Sequence, residues 1–504
     1  MAHPTYPRPK EPFVDKNIFR RKKYRPEPIR PFAEIKEHLP TPIFPLRPEW
    51  VEMYWRAWEA AWSHLRQPKP ESGFVANFIE TVFNEHTFMW DSAFMMQYGV
   101  YGRRLFPFMG TLDNFYAKQH DDGYICREIH MRLGTDYFTP YDPDGTGPNI
   151  LAWSEWRWFR ATGDEERLAN VFWPLMAYHR WFRQNRSWPS GLYWATGLSS
   201  GMDNQTRVPG GKRHHQHWSW VDASMQACLN CHMLEQMAAR LGEESCVSEL
   251  AEERSRLMSL INAHLWDEES AFYYDMSPHG TLSSVKSIGA YWGLLDNDLV
   301  PDNRKPPFIQ HLREVNEFKR FHRIPAQSAD SDGYDADSGD YWRGGVWPST
   351  NFMVLKGLRE NGFRALAHEI AMNHLERVAA VFQVTDTFWE NYAPETAAPG
   401  SPSRPNFVGW SGLSPIAVLI EDVLGICSDW PQRRIEWDRQ LDCPDVYGIR
   451  KYPLGPDGVV DLLGDKDGID ITTNVPVTLI VRDEATGLNM QTAVSPGTTH
   501  FNLT

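Results

Sequence analysis

Cysteine is scarce, with six in 504 residues. Cys126, Cys228, Cys231, Cys246, Cys427 and Cys443 are too few for a disulfide scaffold and fit a reducing compartment. Long apolar runs are missing too: none approaches the roughly 20 residues that cross a bilayer, so no membrane partner is expected. Positive charge is in deficit, 51 Lys and Arg against 65 Asp and Glu, giving a formal net charge of -14. A nucleic-acid partner needs a basic footprint, and the one basic run is "FRRKKYR" at Phe19 to Arg25. That run is read as part of a solvated arm lying across an acidic body. The opening "MAHPTYPRPKEPF" has no apolar leader and no small-residue cleavage site, so a cytoplasmic location is the expectation.

What is present divides the chain into three textures. Residues 1–47 carry Pro4, Pro7, Pro9, Pro12, Pro26, Pro28, Pro31, Pro40, Pro42 and Pro45, which disfavour helix and predict an extended arm. Residues 48–440 show helical periodicity in about twelve segments, near 49–66, 91–102, 104–118, 149–162, 165–185, 217–241, 246–265, 286–296, 306–320, 347–361, 363–382 and 411–426. Long loops rich in Gly, Trp, Asp and His separate alternate helices, and loops of that length usually have a task. Helix count and loop asymmetry together predict a mainly α fold, an (α/α)6 barrel with the elaborate loops at one mouth. Residues 441–504, with β-branched runs such as "VTLIVRD" punctuated by Gly, Asn and Pro, predict a small β-rich appendage serving as a structural cap.

Two local patterns invite a metal or haem reading and are set aside. "CLNCH" at Cys228 to His232 has haem-attachment spacing, but Met225, Leu229, Met233 and Met237 recur every four residues and place it on a buried helix stripe. Asp330, Asp332, Asp335, Asp337 and Asp340 lack the glycine and glutamate positions of a calcium loop and are read as a charged loop. No cofactor or metal is expected.

Sugars present hydroxyls to carboxylates and C–H faces to aromatic rings, so a sugar cleft gathers Trp, Tyr, Asp, Glu and Arg. Trp90, Trp218, Trp220, Trp342, Trp347, Trp389 and Trp410 sit in or beside polar loops, which as a set points to such a cleft. Glycoside hydrolysis needs two carboxyl groups, one protonated at the leaving oxygen and one ionised to act on water or the sugar. Asp203 in "SGMDNQTR" and Glu390 in "ENYAPET" are the candidates. Alone, Asp203 reads equally as an Asx-turn or helix cap, and Glu390 as a loop ion-pair partner. Asn204 and Arg207 could orient a carboxylate or a sugar, while Trp389 and Tyr392 could wall Glu390 and raise its pKa.

Four motifs in order resemble glycoside hydrolase family 63 and its clan, which holds trehalases, processing α-glucosidases and mannosylglycerate hydrolases. "WDSAF" at Trp90 to Phe94 resembles the segment that grips the terminal sugar, and "SGMDNQTR" the general-acid loop. "YWRGGVWPSTN" at Tyr341 to Asn351 resembles the Arg-Gly-x-x-Trp segment; "ENYAPET" with "FVGWSGL" resembles the base loop and the last inner helix. The resemblance implies an (α/α)6 barrel and an inverting, exo-acting hydrolase of a small α-linked glycoside, an α-glucoside first. Asp203 then matches the general acid and Glu390 the general base, with carboxyl groups roughly 6.5 to 9.5 Å apart to admit water. Trp90, Asp91 and Arg343 match substrate-gripping positions, and Asn204, Arg207, Trp347, Trp389, Tyr392 and Trp410 complete the expected substrate-binding set. The sequence departs from the family at Ala393, where relatives carry Asn, so a hydrogen bond near the base is missing or supplied elsewhere.

Other readings stay open at this point. An α-mannoside or sugar-acid glycoside is the nearest alternative, since the basic run "GKRHHQH" (Lys212, Arg213, His214, His215, His217) could meet an acidic group. A sugar epimerase on the same toroid would use His215 and His217 as acid and base. A non-catalytic glycan-binding scaffold would need neither carboxylate for turnover. Oligomeric state is not legible from the sequence.

Overall fold

Helices that bury one stripe alternate along the chain with helical segments buried nearly all round. The first long helix, Pro48–Ser63, starts on a proline and buries Trp50, Met53, Tyr54, Ala57, Trp58, Ala61 and Trp62, an i, i+3, i+4 pattern facing inward. Met89–Gly99, which follows it, buries every residue, Asp91 and Gln97 included. In this computed structural model, which describes residues 9–484 and 486–503, the alternation continues to the sheet region.

The enclosed segments are Met89–Gly99, Leu151–Thr162, Val221–Leu241, Ile288–Leu295, Pro348–Glu360 and the run from Trp410–Leu413 into Ser414–Val423. Each touches the next, and the last touches the first, closing a cycle. Outside them lie Pro48–Ser63, Gly110–Ala117, Glu165–Arg186, Glu244–His264, Lys305–Gln310 and Arg364–Thr385. Most of these bury one stripe, as Glu244–His264 does with Cys246, Leu250, Glu253, Leu257 and Ile261; Gly110–Ala117 is the exception, buried at every position but Ala117.

Four elements differ from the periodicity reading. The helix expected over 104–118 begins at Gly110, because Pro107 interrupts the hydrogen-bond ladder. Ile288–Leu295 winds as a tight 3₁₀ helix and Ser414–Val423 with the wider i to i+5 spacing. The segment near 306–320 is a short helix, Lys305–Gln310, followed by one tight turn, His311–Arg313.

The strands form two main sheets. One is antiparallel, in the order Thr41–Ile43, Tyr447–Leu454, Gly458–Gly464, Gly468–Thr473, Gly497–Asn502. The other runs Leu488–Val494, Val477–Asp483, Arg434–Arg439, Ile426–Asp429, with its central pair parallel. The C-terminal run of strands therefore begins at Ile426, ahead of the change in composition after Cys443. Arg434–Arg439 turns Ile435 and Trp437 inward, an alternation that its flanking Arg and Asp obscure in sequence.

Pro4 and Pro7 lie outside the described residues; from Pro9 onward the arm is fastened to the helical body. Arg20 pairs with Asp121 (2.6 Å), Lys22 with Asp113 (2.9 Å), and Lys16 lies 3.2 Å over the Trp173 ring. Among the described residues no helix is long and apolar enough to cross a membrane.

Candidate active site

Asp91, Asp203, Tyr341 and Trp410 are delivered to one place by a shared rule of construction. Each lies at, or in the loop before, the N-terminal end of an enclosed helical segment. Those ends carry unsatisfied N–H groups and a positive dipole, an environment suited to carboxylates and electron-rich ligands. Between them is a cavity of about 340 Å³, at the small end of the range for small-molecule sites. Its walls include Trp90, Asp91, Arg127, Asp203, Tyr341 and Trp410, with Trp342, Arg213 and Arg404 further round.

The Asp203 loop is built for close approach. Thr196 caps the short helix Gly197–Ser200, which Gly201 ends with a left-handed φ of 77°. A Cβ on Gly201 would lie 3.2 Å from the Trp90 ring, and one on Gly197 would collide with the Asp203 carbonyl at 2.3 Å. Past the acid, each side chain fastens the loop. Asn204 donates to the Asp340 carbonyl (2.8 Å) and accepts from Trp342 N–H (2.9 Å). Gln205 donates to the Ala326 carbonyl (2.6 Å), and Thr206 to the Asp332 carbonyl (2.8 Å).

Glu390 is 2% exposed and stands behind Tyr341, whose hydroxyl donates to Oε1 at 2.8 Å. Its backbone is held on both sides: N–H donates to the Arg404 carbonyl (3.0 Å), and its carbonyl accepts from Trp410 Nε1 (2.8 Å). Burial pushes Glu390 up to about 7, against the Tyr341 hydrogen bond and the Arg404 charge. Burial likewise pushes Asp203 up to about 6, opposed by Arg127 and Lys212 and assisted by Asp144. Asp91 is raised well above the usual carboxylate range by burial, with a backbone hydrogen bond and Arg127 opposing and the charges of Glu390 and Glu128 adding to it. The order of the pair, Glu390 above Asp203, is the reverse of what base and acid roles ask; geometry, and not acidity in the empty site, has to distinguish them.

Three buried polar atoms at this cavity have no hydrogen-bond partner: Trp90 Nε1, Asp91 Oδ1 and Arg127 Nε. Unpaired buried donors and acceptors are costly, and their convergence marks where a polar ligand would sit. Residues 84–411 match the family described as the mannosylglycerate hydrolase MGH1-like glycoside hydrolase domain. The chain belongs to that family. It is a glycoside hydrolase.

Individual relatives are distant. An uncharacterised protein of Borreliella burgdorferi is 23% identical over 366 residues, covering 70% of this chain and 75% of the relative. A probable mannosyl-oligosaccharide glucosidase of Schizosaccharomyces pombe is 25% identical over 281 residues, 51% of this chain but only 32% of its own length. Among solved structures, the Thermus thermophilus family 63 mannosylglycerate hydrolase in complex with Tris and D-glycerate superposes with a TM-score of 0.58. It is 22% identical, covering 72% of this chain and 98% of that one.

Several residues expected to touch substrate in the hydrolase do not line the cavity. Arg207, 1% exposed, pairs with the buried Asp222 (2.6 Å) and Asp275 (3.4 Å) and lies over Trp220, outside the lining. Arg343 donates to the Gly333 carbonyl and to Asp340, both at 2.8 Å, and so secures its own loop. Asn204 spends its amide on the 340–342 backbone. Trp347 stacks flat on Trp342 at 3.7 Å and donates to the Tyr341 carbonyl, standing one layer behind the wall. Trp389 donates to Thr385 (3.1 Å), and Tyr392 pairs its backbone with Val346, both outside the lining.

Other lining groups were not singled out from the sequence. Tyr341 is the main one, and it provides a hydrogen bond to Glu390 where the Ala393 side chain offers none. Arg127 directly precedes the strand Glu128–His130 and Arg404 lies in the long loop between Thr385 and Trp410, and neither stands in one of the four motifs. Arg213 reaches the rim, 3.6 Å from Asp144, while His214, His215 and His217 pack against one another and Trp188. His214 Nδ1 accepts from Gln216 N–H and His215 Nδ1 from His217 N–H. In the acidic loop Asp330 pairs with Lys286 (2.5 Å), Asp335 accepts from Ser338 and Gly339, and Asp340 is taken by Arg343.

Proposed function

We propose that the hydrolase cleaves an α-linked glycoside with inversion at the anomeric carbon, Asp203 serving as general acid and Glu390 as general base. The observation that carries the reading is the single cavity in which Asp203 and the unpaired Asp91 Oδ1 meet, with Glu390 one phenol away. Glu390 takes a proton from water, whose oxygen bonds to the anomeric carbon. The C–O bond on the opposite face breaks, and the leaving oxygen takes the Asp203 proton. Free β-sugar and the aglycone alcohol are released, and exchange with solvent returns both carboxyl groups to their starting states. The cycle of enclosed helices, sheathed by six outer ones, supports an (α/α)6 barrel as the frame, and a walled cavity of this size supports exo action on a short substrate.

The terminal sugar is an α-glucoside or α-mannoside, gripped by Asp91 and Trp90. Arg127, Arg213 and Arg404 gather positive charge around a cavity in an acidic protein, which favours an aglycone bearing a carboxylate. The D-glycerate held by the Thermus relative is of that class. The histidine-based epimerase reading loses support, because His215 and His217 do not line the cavity. Proton NMR of reaction with α-glucosyl and α-mannosyl glycerates, beside the neutral disaccharides, checks all of this. The β-anomer is expected as the first product, with the glycerates turned over faster; initial α-anomer would exclude inversion, and preference for neutral disaccharides would exclude the anionic aglycone.

A further inference from the structure

The residue beside the acid holds the residue that touches the base. The Asn204 amide is used at both ends, as donor to the Asp340 carbonyl and as acceptor from Trp342 N–H, and so brackets Tyr341 from either side. Tyr341 has a φ of 66° and Asp340 a φ of 30°, conformations that side-chain-bearing residues rarely hold unless the surroundings enforce them. The enforcement is visible: Trp342 stacks on Trp347 with an interplanar angle of 2°, Trp347 Nε1 holds the Tyr341 carbonyl (3.2 Å), and Arg343 holds the Asp340 carboxylate. This strained turn aims the phenol at Glu390.

We infer that Asn204 and Tyr341 are positioning residues that form one link between the two loops: Asn204 clamps the 340–342 backbone, and Tyr341 fixes Glu390 by binding Oε1. The inference rests on Glu390 being the base. With Oε1 occupied, Oε2 is the oxygen left to receive the proton from water, and its direction is set by the phenol. Because Asn204 adjoins Asp203, the link also ties the position of the acid to that of the base, keeping the gap between them constant as substrate enters.

The groups facing Glu390 are Tyr341 and Arg404, which favour its ionised form, and Asp203 and Asp91, whose charges disfavour it. Loss of the Tyr341 hydrogen bond removes a stabiliser of the carboxylate, so the Glu390 midpoint must rise. General loosening of the turn would instead admit water and lower the midpoint toward the ordinary carboxylate range, so the sign separates positioning from mere structural support.

The test is a carbon-13 NMR titration of glutamate-carboxyl-labelled protein, with the Glu390 resonance identified by its absence in Glu390→Gln. Tyr341→Phe and Asn204→Ala are each expected to raise the midpoint by about one unit. The double variant should go no further than Tyr341→Phe alone, since the two act in series. An unchanged or lowered midpoint in Tyr341→Phe, or additive shifts in the double variant, would overturn the link. Hydrolysis by Glu390→Gln is measured on the same preparations: if it persists, the role of Glu390 as base fails, whatever the titration shows.

Discussion

Glu390→Gln is expected to lose about 10²- to 10⁴-fold or more in rate on glycosides and glycosyl fluorides alike, because the proposed mechanism gives water activation to Glu390 alone. Asp203→Asn should lose as much on glycosides yet stay within about tenfold of the parent on α-glucosyl or α-mannosyl fluoride, since fluoride departs without needing a proton. Both substitutions keep shape and volume, so circular dichroism and thermal midpoints should match the parent. The comparison decides what acidity leaves open. Burial raises both carboxyl groups, Glu390 to about 7 and Asp203 to about 6, so acidity does not assign acid and base between them. Were Asp203→Asn inactive on the fluoride and Glu390→Gln active, the two roles would be exchanged.

Arg207→Met is expected to destabilise the fold by about 3–5 kcal/mol while leaving KM unchanged in whatever folded protein remains. Removing the guanidinium strands Asp222 and Asp275, both fully buried, without their counter-charge. Asp275 is already raised to about 6 by burial, with Arg207 the main opposing influence, and without that influence it rises further. In the variant the native state then binds more protons than the unfolded chain, so stability falls as pH rises. Urea midpoints should therefore separate variant from parent more widely at pH 8 than at pH 5. Arg343→Ala is the contrast, since its pair with Asp340 is about a third exposed and should cost under about 1 kcal/mol. A raised KM with unchanged stability in Arg207→Met would return Arg207 to the substrate.

These two arginines also mark how far the sequence can be read. Helix alternation was legible because a 3.6-residue stripe is a local property; Pro48–Ser63 and Glu244–His264 carry it openly. Ile288–Leu295 has no polar face to set a period, so its tight winding was not visible, and Arg434–Arg439 hid its strand alternation behind charge. At the site, Asp203, Asp91, Trp90 and Trp410 stand in recognisable motifs, and the cavity gathers all four. Arg207 and Arg343 stand in the same motifs, yet both pair with the protein's own aspartates, Arg207 with Asp222 and Asp275 and Arg343 with Asp340. A cation beside a motif looks alike whether it meets a sugar or a buried carboxylate. Tyr341 was passed over for the converse reason: its role depends on a positive φ and on Asn204, neither of which one residue letter announces.

The strand Thr41–Ile43 pairs with Tyr447–Leu454, Thr41 opposite Arg450. On the ribosome these partners emerge roughly 400 residues apart, which at about 5–20 residues per second is a wait on the order of half a minute. Throughout that interval the strand has no ladder to join and Pro42 is its only guard against joining another, although the arm's ion pairs to Asp113 and Asp121 can already form. The arm is thus held early by charge and completed late by hydrogen bonds, and its seam with the sheet closes only when most of the polypeptide has been made.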